Sequence, residues 1–191
     1  MNRIKWSEAV VLAALVTAGV TLRLALRDIP NFAPVAAIAL FAGYYFRSRA
    51  AALAVPIATM AISDCFLPGY AWQHMVVVYG MLAFPVLMRG PLRKHLKLSD
   101  ASFTTAAGSM AGLLGCSFLG SVLFFVVTNA LCLGWYEPTL QGVVHCYVQA
   151  LPFFRYTLAG DMAFALLTFG GYAVALRLAE SQAAKPASCA A

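Results

Sequence analysis

The chain has 191 residues, of which 62% are hydrophobic and only 10% charged, with a net charge of +6 and a mean hydropathy of +0.82. So much apolar surface cannot be kept from water by a soluble domain of this size, and the length leaves room for about six membrane-spanning helices of roughly 20 residues each but no second, soluble domain. The positive charge does not signal nucleic-acid binding, because Lys and Arg fall between apolar runs and form no solvated basic face.

Six apolar segments follow in chain order, at about 8–26, 33–46, 50–66, 72–89, 101–134 and 157–179. The fold expected from them is an all-α, polytopic membrane protein: a six-transmembrane-helix bundle forming a single domain over 1–180, with a disordered C-terminal tail over 181–191. The first run lacks a small-x-small cleavage site after it and is expected to be a retained span. The second is short for a crossing and the fifth long, which suggests tilted helices packed around a cavity.

Orientation follows from the connections. With the N-terminus cytoplasmic, ten of the 13 Lys and Arg residues lie inside: Arg3, Lys5, Arg47, Arg49, Arg89, Arg93, Lys94, Lys97, Arg177 and Lys185. Arg23, Arg27 and Arg155 lie outside. An odd number of spans would scatter these charges, so both termini are expected in the cytoplasm. The five cysteines show no C-x-x-C spacing and mostly sit in apolar runs, so neither a disulfide framework nor a zinc site is indicated.

Ionisable groups at membrane depth are costly and mark candidate sites. Here they gather at the outer end of the expected bundle. Arg23 and Arg27 share a helix face at i,i+4, where they either clamp an anion or pair with acidic neighbours such as Asp64 and Asp161. Asp64, before the Pro68-Gly69 turn, is a substrate contact or the partner of an outer arginine. Trp72 fits an interfacial anchor as well as a binding residue; His74 faces a pocket or water, and Tyr79 follows on the same segment. Gln141, His145 and Gln149 recur at i,i+4,i+8, giving one polar face to a short helix that is either a lid or an interfacial helix. Pro152 and Arg155 lead from it into the last span, where Asp161, Thr168 and Tyr172 align. Asn129 needs a hydrogen-bonding partner from a neighbouring helix or a ligand.

Catalysis is not expected. Gly108-Ser109-Met110-Ala111-Gly112 is not a G-x-S-x-G elbow, and Ser109 belongs to the opposite half from His74 and His145. Metal binding by His74, His145 and Asp64 lacks any H-x-x-x-H support, so no metal or other cofactor is expected.

Several features resemble the substrate-binding S components of energy-coupling factor (ECF) vitamin and micronutrient transporters. They are six short spans with both ends inside, the alanine pairs Ala9/Ala13 and Ala14/Ala18 on the first span, and the Pro30-Asn31-Phe32-Ala33-Pro34 entrance to the second. Gly43 before a basic turn and Ser63-Asp64 before an outer loop complete the pattern. The resemblance implies a membrane subunit that captures a vitamin-like small molecule in a pocket under the outer loops. Arg23, Asn31, Asp64, Trp72, His74, Tyr79, Asn129, His145, Gln149, Arg155 and Asp161 would be its candidate lining. It also implies docking of a coupling membrane protein on Ala9, Ala13, Ala14 and Ala18, with ATPase subunits beyond it, in the inner membrane of a bacterium. The chain has no Gly-x-x-x-x-Gly-Lys-Ser/Thr phosphate loop, so ATP would be handled by those partners. Pro30 and Pro34 would stiffen the outer loop and hold Asn31 and Phe32 over the cavity. The competing expectation is a membrane scaffold or assembly subunit without a transport role, whose outer polar residues only pair with one another.

Overall fold

A computed structural model describes residues 7–69, 71–96 and 103–183. Among these the regular structure is entirely helical: α1 (Glu8–Ala25), α2 (Val35–Tyr45), α3 (Arg49–Asp64), α4 (Trp72–Ala83), α5 (Arg89–His95), α6 (Phe103–Cys132) and α7 (Leu140–Ala183). A 3₁₀ turn, Phe84–Met88, joins α4 to α5, and another, Leu133–Trp135, follows α6. Four stretches are long and apolar enough to cross a membrane: Glu8–Ala25, Trp72–His95, Ala107–Trp135 and Leu140–Gln182.

The second apolar segment is not a lipid-facing span. All 11 residues of α2 are buried within the protein, and at 1.5 Å per residue the helix is only about 16 Å long against a hydrocarbon core of about 30 Å. Its composition explains its place: VAAIALFAGYY carries no polar face to turn outward. The other helices form a sleeve around it. Phe41 meets Phe169 and Tyr172 edge-on at 5.2 and 5.4 Å, and Tyr45 meets Tyr172 at 5.8 Å, fastening α2 to α7.

Two glycines let elements of the bundle approach closely. A Cβ on Gly43 would lie 2.8 Å from the Val86 carbonyl oxygen, so glycine lets α2 touch the backbone of the turn after α4. A Cβ on Gly19 would lie 2.8 Å from Thr59 Cγ2, which brings α1 onto α3.

The buried helix must also satisfy its own ends. Ile38 N–H bonds to the Pro34 carbonyl at one end. At the other, Arg93 Nε donates to the Tyr44 carbonyl at 3.0 Å, and its Nη2 donates to that of Phe46. Arg89 Nη2 donates to Arg47 O at 2.8 Å. These guanidinium groups do more than mark one side of a membrane: they occupy carbonyls at the negative end of α2.

The sixth segment also departs from expectation. The spacing predicts a short helix carrying Gln141, His145 and Gln149 and a separate last span from about 157, with Pro152 and Arg155 between them, yet α7 runs unbroken for 44 residues with Pro152 inside it. Proline removes one backbone donor and leaves the remaining ladder able to continue on either side. At about 66 Å, α7 is roughly twice the thickness of a hydrocarbon core. It also takes in the start of the expected tail, since 181–183 are helical; 184–191 lie outside the described residues, as do Arg3, Lys5, Lys97, Lys185 and Cys189.

Candidate functional site

At the end of α1 the chain turns through Pro30-Asn31 into α2. Asn31 has φ 58°, the only positive φ at a non-glycine residue described. This left-handed conformation is one that asparagine tolerates better than most side chains. The turn holds Asn31 where two adjoining cavities meet. One, of about 430 Å³, is lined by the α1–α2 connection, the ends of α1 and α3, Pro68 beyond α3, and Phe124, Thr157 and Asp161 on α6 and α7. The other, of about 350 Å³, lies among α4, α6, α7 and Trp135. Both walls include Asn31, Val78, Phe124 and Thr157. The α1–α2, α3–α4 and α6–α7 connections therefore converge on one hollow region.

The larger cavity carries the charge. Arg23 Nη1 lies 2.5 Å from Asp64 Oδ1 and also donates to Ser63 Oγ. Tyr79 OH donates to Asp64 Oδ2 at 2.8 Å. The Arg23 and Asp64 side chains are only 15% and 13% exposed, so this triad joins α1, α3 and α4 in a half-dry setting. Across the cavity Asp161, 5% exposed, accepts a 2.7 Å hydrogen bond from Ser121 Oγ. Arg27 also lines the wall, but its side chain is largely exposed and stands 3.9 Å from Asp28.

The smaller cavity is aromatic. Phe124, Phe125, Phe153, Phe154 and Trp135 line it. His74 stacks on Trp135 with ring centroids 5.0 Å apart and planes 7° from parallel, and its Nε2 is buried without a hydrogen-bond partner among the described residues. Asn129 reaches the same wall, though its Nδ2 is occupied by the Phe125 carbonyl one turn earlier at 2.7 Å.

Of the eleven residues expected to line a pocket, Arg23, Asn31, Asp64 and Asp161 meet at the larger cavity, and Asn31, His74 and Asn129 at the smaller. Five line neither. Trp72 is 70% exposed, as an interfacial anchor would be. Tyr79 works through Asp64. His145 and Gln149 bond to each other at 3.1 Å on the exposed side of α7, and Arg155 lies over its neighbour Tyr156, 4.8 Å from the ring centroid. Asp64 is thus an ion-pair partner as well as a wall residue.

Sequence reasoning missed Phe124 and Thr157, which belong to both walls, and Ser121 and Ser63, which hold the two carboxylate sites. Serine at 117 and 121, one turn apart within an apolar helix, is the signal that pointed inward. Ser109 donates to the His95 carbonyl at 3.3 Å, far along α6 from either cavity. Among the described residues no three His, Cys, Asp or Glu side chains converge to hold a metal ion.

On α1, Ala9, Ala13, Ala14 and Ala18 are all exposed, while Val11, Val16 and Gly19 face inward. No curated protein and no solved structure matches the chain. Residues 3–184 match a family of unknown function, DUF6580; the chain belongs to that family.

Proposed function

We propose that the protein is the membrane-embedded substrate-binding subunit of an ECF-type importer, capturing a small, vitamin-like molecule in the paired cavities. The observation that carries this reading is the meeting of both cavities at Asn31, beneath the three connections where a capture site was expected. Two further features support it. The short α2 and the neighbouring α3 leave depth for a cavity within a small bundle, and the alanine face of α1 is exposed and small enough for a helix of a coupling membrane protein to approach. In this reading the six helical segments, counting α4 through α5 as one, alternate across the inner membrane of a bacterium with both termini cytoplasmic, and ATPase subunits act through the coupling protein.

A second reading has its own observation. Arg23, Asp64 and Tyr79 satisfy one another, as do Asp161 and Ser121, which is what a non-transport scaffold or assembly subunit would need. The hollow beside them favours the receptor. Gentle purification from native membranes, followed by mass spectrometry of proteins and small molecules, separates the two. Recovery of a coupling protein with ATPases, or of a stoichiometric small molecule, is expected. Absence of both, together with undiminished ligand binding when Asn31, Asp64 and Asp161 are each changed to alanine, refutes the receptor.

A further inference from the structure

The larger cavity is unevenly compensated. Four ionisable side chains line it: Arg23, Arg27, Asp64 and Asp161. Arg23 and Asp64 neutralise each other, and Arg27 stands out toward solvent with its guanidinium 3.9 Å from Asp28. That leaves Asp161, which is 5% exposed and whose hydrogen-bond partner among the described residues is the neutral hydroxyl of Ser121, taken by Oδ2. A buried carboxylate without a cation is costly, and a charge-assisted hydrogen bond to it is about twice as strong as a neutral one. Apart from the neutral Asn31 and Thr157 the rest of the wall is apolar, with Phe32, Met60, Val78 and Phe124 among its members, and it adjoins the aromatic cavity at Phe124.

We infer that Asp161 is a specificity-determining residue, and that the cavities take a small organic cation: a protonated amine or cationic nitrogen heterocycle on a flat apolar body, with its positive group against the Asp161 carboxylate. Ser121 orients the carboxylate and the cation completes it. The ring system lies toward Phe124 and the aromatic wall, where the faces of Phe and Trp also favour a cation's flanks. An anionic substrate is disfavoured, since Arg27 lies at the exposed rim beside Asp28 and Arg23 is already held by Asp64. This inference rests on the cavities being a ligand site, as proposed above, and on nothing about coupling proteins or ATP.

Three isosteric probes test it: benzylamine, benzyl alcohol and benzoate. Each is titrated at neutral pH against the full chain in lipid nanodiscs by saturation-transfer NMR, with empty nanodiscs subtracted. Benzylamine is expected to bind about tenfold more tightly than benzyl alcohol, the size of one charge-assisted hydrogen bond over a neutral one, with benzoate weakest. Asp161→Asn, which keeps the shape and the Ser121 contact, is expected to erase the preference for the amine. Ser121→Ala, which keeps the charge, is expected to retain or increase it. A wild-type protein that binds the alcohol or benzoate at least as well as the amine overturns the inference while leaving the cavity a ligand site. A preference that persists in Asp161→Asn, or vanishes in Ser121→Ala, also overturns it. Failure of all three probes to bind overturns both this inference and the ligand site itself, whereas co-purification results bear only on the importer reading.

Discussion

Arg23 and Asp64, 41 residues apart, meet at 2.5 Å and tie the end of α1 to the end of α3 on the wall of a cavity. The pair is held from both sides, by Ser63 on the arginine and by Tyr79 on the carboxylate. Removing one member strands the other in a half-dry site. Asp64→Ala is expected to lower stability by about 2–4 kcal/mol, and Tyr79→Phe, which deletes the hydroxyl's hydrogen bond to Asp64, by about 1 kcal/mol. Thermal unfolding in detergent checks the order. Equal losses would mean that the ion pair contributes nothing beyond the Tyr79 contact.

The Asn31 turn separates backbone from side-chain roles. With φ at 58°, Asn31→Gly should leave stability within about 0.5 kcal/mol, whereas Asn31→Val, forced left-handed with a branched Cβ, should cost about 1–2 kcal/mol. Because the amide lines both cavities, Asn31→Gly should nonetheless weaken small-molecule binding. Stability and binding measured on the same preparations decide; unaltered binding in the glycine variant removes Asn31 from the site.

Gly43 should be far harder to replace than Gly80. In Gly43→Ala the new methyl would meet backbone atoms of Val86 at 2.8 and 3.0 Å, which cannot rotate away, and a loss of about 1–3 kcal/mol is expected. Gly80→Ala has nothing within 4 Å and should be neutral or stabilising by up to about 1 kcal/mol. Melting temperatures of the two variants should move in opposite directions or differ clearly.

Arg93 closes the end of a helix that water does not reach. Arg93→Ala removes its bonds to the Tyr44 and Phe46 carbonyls, leaving Phe46 O to Arg89 Nη2 at 3.3 Å, and should cost about 2 kcal/mol. Lysine should recover less than half of that, because one ammonium cannot reproduce a planar fork reaching two carbonyls from Nε and Nη2. Full rescue by lysine would show that charge at the helix end matters and geometry does not.

The exposed alanines of α1 lend themselves to a steric test of the partner. Ala14→Trp places a large ring on a surface left exposed among the described residues, so the fold should remain within about 0.5 kcal/mol. Co-purification of a coupling protein should be lost. A partner still recovered in full would move the docking surface elsewhere.

Composition alone determined that this chain is apolar and helical, and the spacing of its apolar runs located α1, α2, α3, α4 and α6 to within a few residues, whereas α5 and the first part of α7 fall outside those runs. It also marked Arg23, Asn31, Asp64, His74, Asn129 and Asp161 as polar groups with something to explain. Such patterns are local, arising from burial cost per residue and from the 3.6-residue period, and so are written in the chain. What tertiary structure decided was which apolar surface faces lipid and which faces protein. VAAIALFAGYY reads as a short apolar segment; packing made it the core because Gly19 and Gly43 let its neighbours close around it and Arg89 and Arg93 satisfy its end. Pro152 reads as part of a connection between a short helix and the last span, yet one helix passes through it. Partners 40 or 41 residues away chose between salt bridge and free carboxylate for Asp64 and Asp161. A pairing energy between distant side chains has no signature in the spacing of either one, so only the packed chain could settle it.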